Sequence, residues 1–148
     1  MLEKSLVLIK PDAVEKDIIG EIISYYEKAG LKIVALKMER ANEELAEKHY
    51  AEHKGKPFYE GLIKFITRSP LCALIVEGDN AIESVRKING ATNPNEAEDG
   101  TIRKAFATSK SENCVHASDS VESANRELAI WFPEVVESIL VGDRKSTR

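Results

Sequence analysis

Apolar positions along this chain change their spacing several times, and each change marks an element. Ser5 to Ile9 is an apolar run too short for a helix and stopped by Pro11, so it reads as a buried strand. Ile18, Ile19, Ile22, Ile23 and Tyr26 then recur at helical spacing, with Gly30 as the stop. Leu31 to Met38 predicts a second strand, with Leu31, Ile33, Ala35 and Lys37 on one face. Asn42 is placed to cap a short helix carrying Leu45, Ala46 and Tyr50. Phe58, Leu62, Phe65 and Ile66 form another helical stripe, ended by Ser69-Pro70. Leu71 to Val76 predicts a third strand, followed by Gly78-Asp79 as turn material. Asn80 and Glu83 then read as the caps of a helix through Ile88, with Ile82, Val85 and Ile88 facing the core.

From Gly90 to Glu112 the periodicity disappears, apart from a short run at Thr101 to Phe106. A loop of this length is uncommon in a compact domain unless it has a function. Asn113 to His116 predicts a short fourth strand. Asp119 and Glu122 read as a capping pair opening a helix from Ser120 to Phe132, whose core positions are Val121, Ala124, Leu128, Ala129 and Trp131. The polar stretch 142–148 is predicted to be a disordered tail. This order predicts one α+β domain over 1–148: a single sheet covered by helices, with an irregular excursion before the last strand.

Composition narrows the classes. The chain has 148 residues, enough for one domain with a real core, and its 43% hydrophobic and 31% charged content is ordinary for a globular protein. No apolar run approaches the roughly 20 residues of a transmembrane helix, and the first residues lack a signal-peptide layout. Two cysteines, Cys72 and Cys114, do not make a disulfide framework. A cytoplasmic protein is expected. The net charge of −4 argues against a broad basic surface, so no specific nucleic-acid partner is expected.

Three features point to chemistry on phosphate. His116 lies between a short apolar run and a helix start, where backbone N–H groups favour anions. A neutral imidazole is nucleophilic near pH 7, its ordinary pKa being about 6.5. Glu127, eleven residues on, is placed to hold one ring nitrogen and leave the other free, and Ser118 fits the same arrangement. Arg86, Thr92 and Arg103 flank or lie within the long loop. They read either as a phosphate clamp or as surface partners of Glu96, Glu98 and Asp99. Lys10, before Pro11-Asp12, reads on its own as a solvated charge guarding a strand end. His49 and His53 read as structural histidines.

The segment Asn113-x-x-His116-Ala117-Ser118-Asp119-Ser120, continued by Val121-Glu122-Ser123-Ala124, resembles the active-site signature of nucleoside diphosphate kinases. Leu8-Ile9-Lys10-Pro11-Asp12, His49-Tyr50, Pro57 to Leu62, Gly90 to Pro94, Gly100 to Arg103 and Trp131-Phe132 resemble the same family in register. The resemblance implies a ferredoxin-like βαββαβ sandwich with a four-stranded antiparallel sheet, the long loop being a nucleotide-binding excursion. It implies ping-pong transfer of the γ-phosphate from a nucleoside triphosphate, mainly ATP, to nucleoside diphosphates. His116 matches the phosphorylated residue, and Glu127 and Ser118 its orienting neighbours. Phe58 matches the aromatic on which the base stacks, with Leu62 beside it. Lys10 and Asn113 match groups reaching the ribose hydroxyls and, for the lysine, the transferred phosphate. Tyr50 matches the phenol that positions the lysine, and Arg86, Thr92 and Arg103 match the phosphate clamp. Mg²⁺ is implied as cofactor, without direct protein ligands, Asp119 acting through water. A homo-oligomer is implied, a hexamer ahead of a tetramer. Three positions depart from the family: Lys110 stands where relatives carry an aliphatic residue, and Ala13 and Ala117 stand where glycine is common. Cys114, two residues before His116, is expected on the histidine's face of the strand.

Overall fold

In the computed structural model, which describes residues 1–135, four strands form one antiparallel sheet in the order β2-β3-β1-β4. They are β1 (Leu2–Ile9), β2 (Lys32–Glu39), β3 (Leu71–Asp79) and β4 (Val115–Ala117). The order is that of the expected βαββαβ sandwich, each crossover stepping past a central strand. β1 pairs with β3 from Leu2↔Asp79 to Ile9↔Cys72 and with β4 at Val7↔Ala117, Leu8↔His116 and Ile9↔Val115. Its continuous apolar run has a simple cause: both faces are covered. Val7 and Ile9 enter a core shared with Ile22, Tyr26, Leu74 and Val85, while Leu6 and Leu8 enter a second core with Ala46, Ile66, Trp131 and Phe132.

The first core is closed by α2 (Ile19–Lys28) and α5 (Ala81–Asn89), the second by α3 (Glu43–His49), α4 (Tyr59–Thr67) and α7 (Val121–Trp131). Two one-turn helices were not expected. α1 (Pro11–Glu15) begins at the proline read as a stop, because Pro suits the first helical position, where its missing N–H is not needed. α6 (Ile102–Phe106) interrupts the long loop, and the Thr101 hydroxyl caps it by accepting the Lys104 N–H at 3.3 Å. The predicted tail 142–148 lies outside the described residues.

Several local expectations are corrected. Asn80 sits in the left-handed region at φ 51° and makes no side-chain cap; Glu3 instead accepts the N–H of Ile82 at 3.2 Å. Ser120, not Asp119, caps α7, its hydroxyl accepting the Ser123 N–H at 3.1 Å. Val121 and Ala129 are exposed, and the inward face of α7 carries Ala124, Glu127, Leu128 and Trp131. An irregularity between Ile33 and Ala35 turns β2 over, so Ile33 packs in the first core and Ala35 in the second. Past it, Leu36 and Met38 stand exposed on the edge strand.

Candidate active site

β4 places His116 directly opposite Leu8, on the sheet face covered by α3 and α7. Glu127 comes from the buried side of α7 and is 4% exposed. Its Oε1 lies 3.0 Å from His116 Nε2 and accepts the Ser118 hydroxyl at 2.9 Å. That hydroxyl also accepts the Leu6 N–H at 3.1 Å, which fixes the serine to β1. An ionised carboxylate only accepts, so Nε2 carries a ring proton, and in the neutral imidazole Nδ1 then keeps its lone pair. Oε2 of Glu127 lies 3.6 Å from the Arg126 guanidinium, so the carboxylate has three partners, His116 and Ser118 on one oxygen and Arg126 on the other.

In front of His116 opens a cavity of about 940 Å³, and Lys10, Arg86, Thr92, Arg103 and Asn113 line it with the histidine. Lys10 is not a solvated guard. It is 9% exposed, and its ammonium donates to Asn113 Oδ1 at 2.8 Å. Burial, followed by the nearby Arg103 charge, lowers its pKa to about 8. The Asn113 amide donates in turn to the Lys110 carbonyl at 2.9 Å, so the lysine is tied to the loop that precedes β4.

Arg103 is held by backbone. Its guanidinium donates to the carbonyls of Gly90 at 2.7 Å, Val115 at 2.6 Å and, through Nε, Asn113 at 3.3 Å. Three of its five N–H groups are thus engaged, and two remain for an anion in the cavity. The alternative partners weighed from sequence, Glu96, Glu98 and Asp99, make none of these contacts. Arg86 is exposed on α5, and Thr92 is exposed in the loop that follows it.

Five expected residues stand apart from that cavity. Ser118 and Glu127 lie behind the histidine rather than in the opening. Phe58 precedes α4 and is 51% exposed, with Leu62 one turn further along and partly buried. Lys10 reaches toward this helix, its ammonium 5.8 Å from the Phe65 ring. Tyr50 is buried, and its phenol is pushed up to about 12 by burial and by the Glu127 charge. The lysine's hydrogen bond goes to Asn113 rather than to Tyr50.

Cys114 is a clear correction. Its φ of 72° breaks the alternation, so its side chain enters the opposite core while His116 stays on the α7 face. Burial and the Asp12 carboxylate push its thiol up to about 12, which leaves it protonated. His49, read as a structural histidine, stands beside the site: its ring centroid lies 4.6 Å from that of His116. The dipeptide His49-Tyr50 marked the place, but neither periodicity nor charge distinguished the histidine.

The donor chemistry bears on a cation. Besides the cationic side chains, the cavity is lined by the carboxylates Glu83, Glu96, Glu98 and Asp119. Hydrogen bonds from Ser123 and Ser120, with burial opposing them and the Arg86 charge assisting, hold the Asp119 carboxyl below its usual range. Hard oxygen donors of this kind fit a hard divalent ion. His49, His116 and Glu127 place one ligand atom each within 4.8 Å of one another, but two nitrogens suit a softer metal than magnesium.

A cation-lined cleft opening on a carboxylate-held imidazole, built on an antiparallel α+β sandwich, is the architecture of a phosphotransferase. The chain belongs to the nucleoside diphosphate kinase family, whose sequence profile matches residues 3–136. It is 61% identical over 141 residues to a nucleoside diphosphate kinase of Clostridium perfringens, covering 95% of this chain and 99% of that one. It is 58% identical over 133 residues to one from Pyrococcus abyssi, covering 88% and 84% of the two chains. The crystal structure of the Aquifex aeolicus nucleoside diphosphate kinase superposes with a TM-score of 0.87 at 40% identity, covering 89% of this chain and 96% of that one. No described helix is long and apolar enough to cross a membrane.

Proposed function

We propose that this enzyme passes the γ-phosphate of a nucleoside triphosphate, mainly ATP, to nucleoside diphosphates through a phosphohistidine on His116. The observation that carries the reading is the Nε2 contact to Glu127, which leaves Nδ1 as the free nucleophile at the cavity. In the first half-reaction Nδ1 forms a bond to the γ-phosphorus as the bond to the bridging β,γ oxygen breaks. The diphosphate leaves with that electron pair, and the Nε2 proton stays against Glu127. In the second half-reaction a terminal oxygen of another diphosphate attacks the same phosphorus and the P–N bond breaks. Little covalent work falls to the protein, so positioning and charge dominate.

Lys10, Arg103 and Arg86 are the cations for the transferred group, and one such donor is worth about 3–4 kcal/mol in comparable sites. Thr92 completes the clamp, and Tyr50, which lies outside the cavity lining, is read as the phenol that positions the lysine. Asn113 sits with Lys10 as the ribose-side pair, and Phe58 with Leu62 provides the base platform. A stack of this kind is worth about 1–3 kcal/mol and accepts any base. Mg²⁺ would be held by substrate phosphates and, through water, by Asp119; when bound it neutralises charge on the β- and γ-phosphates.

The enzyme is cytoplasmic and assembles as a homo-oligomer, a hexamer ahead of a tetramer. The apolar side chains that β2 leaves exposed, Leu36 and Met38, support association. Light scattering on a sizing column reads the assembly directly.

Incubation with γ-labelled ATP and Mg²⁺ should give acid-labile, base-stable label on the protein. His116→Ala should abolish that label with the far-ultraviolet circular dichroism unchanged. Label that survives the substitution would remove His116 from the reaction.

A further inference from the structure

His49 has no role in the transfer just described, yet it is 5% exposed and packed against the reacting ring. It closes α3, and the Trp131 indole at the end of α7 donates Nε1–H to its Nδ1 at 3.1 Å. Indole nitrogen only donates, so His49 Nδ1 is the acceptor and its one proton sits on Nε2. The ring stands at 82° to His116 with centroids 4.6 Å apart, and at 70° to Tyr50 and 76° to Trp131. Such edge-to-face contacts have preferred geometry, and with His49 packed against three other rings it is not free to turn alone.

The His116 imidazole is held at one atom by Glu127, and a ring held at one atom swings about it. A second, perpendicular wall removes that motion. We propose that His49 is a positioning residue for His116: its ring, registered by the Trp131 N–H, walls the imidazole so that Nδ1 faces the cavity. The inference rests on the reading that His116 carries the phosphate.

Neutrality matters as well as shape. Phosphorylation at Nδ1 with the proton kept on Nε2 leaves positive charge on the His116 ring, which a neutral neighbour does not oppose. Burial, then the His116, Lys10, Arg126 and His53 charges, holds His49 well below the usual imidazole range. Glu127 and the Tyr50 phenol also lie close to the His49 ring.

The test uses the full chain, with single-turnover phosphorylation by ATP–Mg²⁺ and thermal melts. His49→Gln keeps an acceptor for Trp131 and loses the ring. Its saturating rate constant is expected to fall about 10- to 100-fold, the scale of a misaligned reacting group, with half-saturation unchanged within about twofold. His49→Phe keeps a ring and should recover part of that loss. A purely structural role would lower the melting temperature and the active fraction, leaving the saturating rate constant per folded enzyme and its pH profile as in the unsubstituted chain. That result overturns the proposal. Nitrogen-15 spectra of the unsubstituted enzyme decide it even where variants fail to fold. His49 should be neutral at pH 7 with the proton on Nε2, and the opposite tautomer or a charged ring overturns the assignment. Loss of the phosphohistidine reading would appear separately, as label retained in His116→Ala.

Discussion

The Asp12 carboxylate accepts the amide N–H of Cys114 at 3.0 Å, joining residues 102 positions apart. Among the described residues, Cys114 is one of three non-glycine positions at positive φ, a conformation costing on the order of 1–3 kcal/mol. Two ties keep it there: the Asp12 bond, and the Lys10 N–H donated to the Cys114 carbonyl at 2.8 Å. The inverted residue separates Asn113, which holds Lys10, from Val115, which opens β4. Asp12 therefore sets where Lys10 and His116 stand relative to each other. Asp12→Ala strands a buried N–H, a cost of about 1–3 kcal/mol, equivalent to a fall in Tm of roughly 2–10 °C for a domain this size. Its rate of His116 phosphorylation should fall together with its Tm. Scanning calorimetry and rapid-quench labelling read the two effects, and an unchanged rate would separate this strut from the site.

Lys10 gives a pH signature. Its pKa near 8 means that the free enzyme loses this charge as pH rises through that value. A bound phosphate stabilises the ammonium, so the same group should titrate higher in the complex. We expect kcat/KM to fall on an alkaline limb near pH 8 and the limb in kcat to lie higher, since the first reports the free enzyme. The Asp12 charge raises the lysine's pKa, so Asp12→Asn, which keeps an oxygen acceptor, should move the kcat/KM limb to lower pH. Steady-state profiles between about pH 6 and 10 read both shifts, and a kcat/KM limb that stays in place in Asp12→Asn would assign it to another group.

The main frame was legible because periodicity and burial agree in it. The β1 run and the helix over Ile18 to Tyr26 are buried for the reason their spacing indicates, whereas in the stripe of Phe58, Leu62, Phe65 and Ile66 only Ile66 is fully buried and Phe58 stands exposed. The one-turn helices α1 and α6 are too short to show a 3.6-residue period. The inversion at Cys114 leaves no trace in composition, since cysteine does not favour positive φ, and alternation alone therefore puts the thiol in the wrong core. Candidate residues were legible as a set through the matched motifs. Their grouping was not: Lys10 looked like a surface charge because its partner, Asn113, is 103 positions away. His49 looked structural for a similar reason, its contacts coming from β4 and α7.

Arg103 is a brace as well as a charge. By bonding the carbonyls of Gly90, Asn113 and Val115 it ties both ends of the long loop to β4. Lysine carries the charge but not the planar fork, so it cannot span three carbonyls. Arg103→Lys should lower kcat/KM by about 10²-fold or more, the scale of losing one preorganised donor, and speed proteolysis within 91–112. Gly90 tests the brace from the other side. Its φ is 87°, and an added Cβ would lie 2.6 Å from Thr101 Oγ1. Gly90→Ala should therefore displace Thr101 and α6, lowering Tm and loosening the loop while leaving every charge in place. Limited proteolysis with mass spectrometry follows both variants, and a loop cut no faster in either would refute the brace.

His49 also links the site to acid stability. In the unfolded chain it titrates near its ordinary value of about 6.5, whereas the fold holds it well below that. Between those two values the unfolded state binds the extra proton, so stability from this group is complete above about pH 6.5 and falls as pH drops below it. The contributors are burial first, then the charges of His116, Lys10, Arg126 and His53. Protonation would also set the Nδ1 proton against the Trp131 N–H donor, removing the bond between α3 and α7. His49→Gln removes the titration while keeping an acceptor. Its denaturation free energy should therefore depend less on pH between about 6.5 and 4.5 than that of the unsubstituted protein, even where its stability at neutral pH is lower. Urea melts across that range measure the slope, and equal slopes for the two proteins would place the acid sensitivity elsewhere.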